Sequence, residues 1–159
     1  MDLPDFPGGM NATLGEARSW IRDQVINAQG AKCPCCTQLA KQYRRKLNSG
    51  MARSLIQMYK AGGTTWFVDV TKVCLGGTRE EGKLRYWGLV EEAEEKREDG
   101  GRAGWWRVTK EGEMFIRQQV TMPSHCLLYD NHFRGFSGAH VTIQDCLGKK
   151  FNLRELLEA

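Results

Sequence analysis

The chain has no long apolar run. Nowhere does it approach the roughly 18 consecutive apolar residues that a membrane-crossing helix needs, so a helical membrane protein is excluded. Histidine is scarce, with three residues, and no His-Glu-x-x-His pair, glycine-rich phosphate loop or nucleophile elbow is present. The sequence signatures of zinc proteases, P-loop NTPases and α/β-hydrolases are therefore missing, and the expectation is a protein that is not an enzyme. The opening "MDLPDFPGGM" lacks the basic and apolar regions of a secretory signal and reads as a flexible N-terminus over residues 1–10. The expected location is cytoplasmic, and the six cysteines are expected as thiols or metal ligands rather than disulfides.

The most informative absence is of negative charge. From Lys32 to Lys60 there are seven basic residues and no acidic one, whereas acidic residues outnumber basic ones over the rest of the chain. The whole surplus behind the net charge of +4 thus sits in one segment. Such a concentration suits an acidic partner, nucleic acid first among them; the plainer alternative is a solvated element face.

What is present divides into three parts after the N-terminus. Residues 11–48 read as a helical pair with a cysteine-rich corner. Leu14, Ala17, Ile21, Val25 and Ala28 fall at helical spacing and Gly30 ends the run. Beyond the cysteines Leu39, Tyr43 and Leu47 form a second stripe, with Lys41, Arg44, Arg45 and Asn48 on the opposite face and Lys46 beside them. Residues 49–120 begin with a helix capped by Ser49 and striped by Met51, Ala52, Leu55, Ile56 and Tyr59, ending at Gly62-Gly63. "TTWFVDV" follows as a strand, then a brief helix opened by Thr71. A further helix begins at the Thr78/Glu81 capping box, runs through Leu84 and Trp87 and stops at Gly88. "LVEEAEE" and "WWRV" then make a hairpin with a long charged tip, and Thr109 caps a last helix. Residues 121–159 read as strands "SHCLLYD" and "HVTI" around a loop, closed by a helix with Asn152 and Glu155 at its start. This extension is either a lid or a dimerisation arm, the latter implying a homodimer.

Cys33 and Cys36 form a Cys-x-x-Cys pair, half of the ligand set of a structural zinc site. No second pair at matching spacing is present, so zinc is a candidate cofactor without its remaining ligands. A redox role is disfavoured because a helix, not a strand, is expected before the pair. The plain alternative is packing of small sulfur-bearing residues at a helix corner.

The order helix, strand, helix, turn, helix, hairpin, helix, with "LRYWGLVEE" before the glycine-rich tip and "GWWRVTKEGEMFI" after it, resembles a winged-helix domain. "CPCC", "RKLNSGMA", "LRYWGL" and "LGKKF" together make the chain similar to a family of small bacteriophage proteins, a resemblance that implies no activity. The expected fold is α+β, a winged helix-turn-helix core with an N-terminal helical pair and a C-terminal hairpin and short helix. Together the two resemblances imply a phage-type DNA-binding protein acting as a transcriptional regulator, with the host cytoplasm as its location. Arg79, Lys83 and Tyr86 would lie on the recognition helix, Lys41, Arg44, Arg45 and Lys46 would clamp phosphates, and Arg102 and Arg107 would bring the wing to double-stranded DNA. The rival is a phage-encoded interaction module that binds a host protein without DNA, suited by the acidic wing and by exposed tryptophans in "GWWR".

Overall fold

A computed structural model describes residues 3–27, 29–74, 80–94 and 104–159. The chain is mixed α and β. The chain clusters into two compact units. The first comprises Met1–Arg45 with Leu127–Gly135; the second comprises Lys46–Cys126 with Phe136–Ala159.

In the first unit, helix α1 (Leu14–Asn27) begins at a reciprocal cap. The Glu16 N–H donates to Thr13 Oγ1 at 3.1 Å, and the Thr13 N–H donates to the Glu16 carboxylate at 3.2 Å. Of the expected stripe, Ala17 and Val25 are buried, Ile21 is half-buried and Leu14 is exposed; Ala28 lies outside the described residues. Gly30 turns the chain at φ 103°, where a Cβ would stand 2.4 Å from the Ala40 carbonyl oxygen. Two short antiparallel strands follow, β1 (Ala31–Lys32) and β2 (Leu39–Ala40), in the register Ala31↔Ala40 and Lys32↔Leu39.

The second helix of the expected N-terminal pair does not form. Leu39–Ala40 is β2, and Tyr43–Lys46 is strand β3, at the edge of a three-stranded sheet in the order β3-β7-β8. Strand β7 is Met122–Tyr129 and β8 is His132–Val141. The physical reason lies in the stripe itself. A helix would have had to bury Leu39, Tyr43 and Leu47 together, yet Leu39 and Tyr43 are 47% and 41% exposed and only Leu47 is buried. The same residues also alternate (Lys41, Tyr43, Arg45 against Arg44 and Lys46), and β7 supplies a partner about 80 residues away for their backbone groups. Asn48, expected on the basic face, instead caps the next helix.

The C-terminal hairpin forms, with longer strands than expected. "NHFRGFSG" is not a loop, because the turn is confined to Asp130 and Asn131 at φ 50° and 59°. Two successive left-handed residues make the tight connection whose twist matches antiparallel strands, and Asp and Asn tolerate that conformation.

The second unit is built around α2 (Ser49–Gly62). Asn48, not Ser49, is its N-cap, with its side chain accepting from the Met51 N–H at 2.9 Å and donating to Glu80 at 3.0 Å. Met51, Ala52, Leu55, Ile56 and Met58 are buried, and Gly63 (φ 56°) ends the helix as its double glycine predicts. Strand β4 (Val68–Asp69) is shorter than "TTWFVDV", and α3 (Val70–Val73) is capped by Asp69 rather than Thr71. The expected third helix is a 3₁₀ helix, Glu81–Trp87, and Thr78 lies outside the described residues. Its end is as read. Gly88, at φ 73°, donates to the Arg85 carbonyl while Leu89 donates back to Leu84, satisfying two terminal acceptors.

Strands β5 (Val90–Glu92) and β6 (Trp105–Val108) pair antiparallel, and β4 joins on the other side of β6, giving the order β4-β6-β5. Helix α4 (Lys110–Ile116) is capped by Thr109, which accepts from the Gly112 N–H. Gly112 is required there, since a Cβ would meet the Leu89 carbonyl oxygen at 2.3 Å. Helices α5 (Ile143–Leu147) and α6 (Leu153–Glu158) complete the unit; α5 opens with a Thr142/Asp145 capping box, and Asn152 caps α6. Phe115, Leu84, Leu89, Ile116, Ile143 and Leu147 close the core with the α2 stripe.

Candidate nucleic-acid interface and thiol cluster

The cations concentrated in the sequence stand on an edge strand rather than a helix. All four residues of β3, Tyr43, Arg44, Arg45 and Lys46, are exposed. Successive strand side chains point to opposite faces, so Lys41, Tyr43 and Arg45 share one side. The geometry bears this out: the Lys41 ammonium lies 4.8 Å and the Arg45 guanidinium 5.4 Å from the Tyr43 ring centroid. A ring flanked by two cations offers a π-face for a base or sugar and charge for adjacent phosphates. The first unit holds a second basic feature, an open cleft lined by Arg22, Val25, Ile26, Tyr129, Asp130, His132 and Arg134. His132 Nδ1 is 2.7 Å from the Asp130 carbonyl oxygen.

The cations expected on the recognition helix and wing are differently employed. Lys83 bonds Glu80 at 3.0 Å. Tyr86 accepts from Arg85 at 3.1 Å, with the Arg85 guanidinium 4.8 Å from the Tyr86 ring centroid. Arg107 donates through Nε to Glu91 at 2.7 Å and through Nη2 to the same oxygen, while its guanidinium covers the Phe67 ring. Arg79 and Arg102 lie outside the described residues. Two of the predicted cations are thus held by carboxylates, and the acidic character read in "LVEEAEE" acts locally through Glu91. In "GWWR" only Trp105 is exposed; Trp106 is buried.

Cys33, Cys35 and Cys36 occupy the connection between β1 and β2. The Cys33 N–H donates to the Gln38 carbonyl at 2.8 Å, the Thr37 N–H to the Cys33 carbonyl at 2.9 Å, and Thr37 sits at φ 64°. This tight bend folds the segment back on Cys33. Hydrogen bonding from the Cys36 and then the Cys35 backbone holds the Cys33 pKa below the usual thiol value. The pair follows strand β1, not a helix, so the helix-corner setting expected for it is replaced by a hairpin. Among the described residues no three His, Cys, Asp or Glu side chains come together as a metal-binding group. The other thiols are a different population. Cys74 and Cys146 are buried in the second unit, and burial pushes each up to about 11. No protein-family model, curated protein or solved structure matches the chain.

The structure brings together Cys33 with Cys36 and Lys41 with Arg45 in the first unit, while Lys46, Lys83, Tyr86 and Arg107 belong to the second. Tyr43 was read from the sequence as a stripe residue, and Arg85 had no role. The signal for Tyr43 was the period-2 pattern Lys-x-Tyr-x-Arg, which competes with the helical reading of the same residues.

Proposed function

We propose that the protein binds DNA without catalysing a reaction, and that strand β3 with the preceding Lys41 is its phosphate-contacting element. The carrying observation is the exposed Lys41–Tyr43–Arg45 face, within a segment that holds no acidic residue. The order α2, β4, α3, 3₁₀ helix, β5, β6, α4 and the sheet order β4-β6-β5 support a winged-helix arrangement of the second unit. Its cations Lys83 and Arg107 are bonded to Glu80 and Glu91, so the reading assigns most of the electrostatic attraction to the first unit.

The test is the salt dependence of binding to a nonspecific duplex. Each phosphate contact contributes about 0.9 to the slope of log affinity against log salt. Changing Lys41 and Arg45 together to Ala should lower that slope by about 1.8, similarly for all sequences, because phosphate contacts carry no sequence information. Arg44→Ala, on the other side of the strand, should change it little. A folded Lys41/Arg45 double variant that keeps the parent slope removes this face from the interface. A parent protein with no salt-sensitive binding to any duplex removes the DNA reading.

A second reading is favoured by one observation in the second unit. Trp66 is 70% exposed and Trp105 is 44% exposed, and tryptophan is the side chain most enriched at the energetic centres of protein interfaces. A host-protein partner would be weakened by Trp66→Ala and Trp105→Ala and would be indifferent to Lys41 and Arg45.

A further inference from the structure

We propose that the Cys33/Cys36 pair is half of a zinc site, and that a second copy of the chain supplies the other half, giving one Zn²⁺ held by four sulfurs between two β1–β2 hairpins. The pair has the spacing of a zinc half-site and sits on a tight bend. The Cys33 N–H donates to the Gln38 carbonyl at 2.8 Å and the Thr37 N–H to the Cys33 carbonyl at 2.9 Å, so the backbone that carries the two cysteines is bent and held.

The reason for a second copy is a shortage of ligands within one chain. Structural zinc sites are four-coordinate and tetrahedral, with sulfurs at about 2.3 Å from the metal. All six cysteines and all three histidines of this chain are among the described residues, and no group of three ligands forms. Cys74, Cys126 and Cys146 are buried. Cys36, by contrast, is exposed and Cys33 half-buried, at the end of a two-stranded hairpin where another molecule can approach. Two Cys-x-x-Cys pairs complete the tetrahedron. Ligation exchanges each thiol proton for a Zn–S bond, with no change of oxidation state. Four thiolates around Zn²⁺ carry a net charge of −2; Lys32, next to Cys33 in the chain and contributed by each copy, offsets it.

A second observation points the same way. In the first unit the buried apolar side chains are Ala17, Val25, Ala31 and Leu128, among the described residues. So small a core is the circumstance in which a metal staple contributes most to a fold.

The experiment is zinc titration of chelator-treated, reduced protein, with metal content per chain and sedimentation mass read together. The expected result is half a zinc ion per chain, a dimer formed with metal and a return to the initial mass on adding chelator. Cys33→Ser and Cys36→Ser should each abolish uptake and the mass change, and Cys35→Ser should retain both. Cobalt loading gives a readout independent of the variants' folding and of any dimer that exists without metal: charge-transfer absorption for four sulfurs per ion is expected. No uptake, one ion per chain, two sulfurs per cobalt, or undiminished uptake by Cys33→Ser and Cys36→Ser would each overturn the proposal.

Discussion

In the second unit α2 buries Met51, Ala52, Leu55, Ile56 and Met58, each 2% exposed or less, whereas in the first unit α1, of the same length, buries only Ala17 and Val25. The contrast extends to the strands. Val90, Trp106 and Val108 of β5 and β6 are buried, while Tyr43, Arg44 and Arg45, the part of β3 in the first unit, are exposed. One unit is held by a packed apolar core. The other is held by a reciprocal cap, a left-handed glycine, tight bends and backbone pairing, and it presents cations and thiols to solvent. Burying a large apolar side chain stabilises a fold by about 1.5–3 kcal/mol, against about 0.5–1.5 for a typical hydrogen bond. The first unit is accordingly the more responsive to anything that binds it.

The largest test of this contrast is a pair of truncations. Phe115→Ala, at a fully buried position of the second unit, should cost about 3–5 kcal/mol in urea unfolding. Leu39→Ala, at an exposed position of the first, should stay within about 0.5 kcal/mol. A large loss at Leu39 would mean that this residue is covered in solution, as the helical reading required.

A smaller effect is expected from Gly30→Ala. The added Cβ would press on the Ala40 carbonyl oxygen in a backbone conformation that alanine rarely adopts. The expected cost is about 1–3 kcal/mol, localised by amide chemical shifts to Ala31–Ala40 while α2 keeps its signals. Equal perturbation of α2 would show the two units to be one cooperative body.

The smallest effect at neutral pH, and the most selective, concerns the thiols. Cys74 and Cys146 are pushed up to about 11 by burial, so their charged form is disfavoured in the folded state. An unfolded chain with ordinary thiols releases protons at lower pH than the folded one. The stability these thiols contribute is therefore intact below about pH 9 and is lost as pH rises from there to about 11. Urea midpoints should fall across that window, and Cys74→Ala with Cys146→Ala should flatten the fall. Under native conditions Cys33, Cys35 and Cys36 should react with a thiol reagent well before the three buried cysteines; similar rates for all six would erase the distinction between the units.

Where apolar residues are dense, their period identified the element. Met51, Ala52, Leu55 and Ile56 leave no alternative to a helix, and the glycine stops at Gly63 and Gly88 stand where they were read because no other residue adopts those angles as cheaply. The hairpin of β5 and β6, helix α4 with its Thr109 cap and the Asn152 cap were legible for the same reason: each depends on residues within a few positions of one another. The concentration of positive charge was legible too, as composition alone.

The stretch from Leu39 to Leu47 was not. Three apolar residues in nine fit a helix at every fourth position, and the cations between them fit a strand at every second. Local propensity cannot choose between those periods when the deciding partner, β7, arrives about 80 residues later. Nor could it foresee that Glu91 would take Arg107, since an ion pair across neighbouring strands depends on register, whereas Lys83 and Glu80 stand three positions apart and pair locally. By itself the sequence determined which residues are charged, which helices are amphipathic and where the chain must turn. Tertiary structure decided that the basic segment is a strand and that Arg107 is held by Glu91, because the β3–β7 pairing and that ion pair join residues distant in the chain.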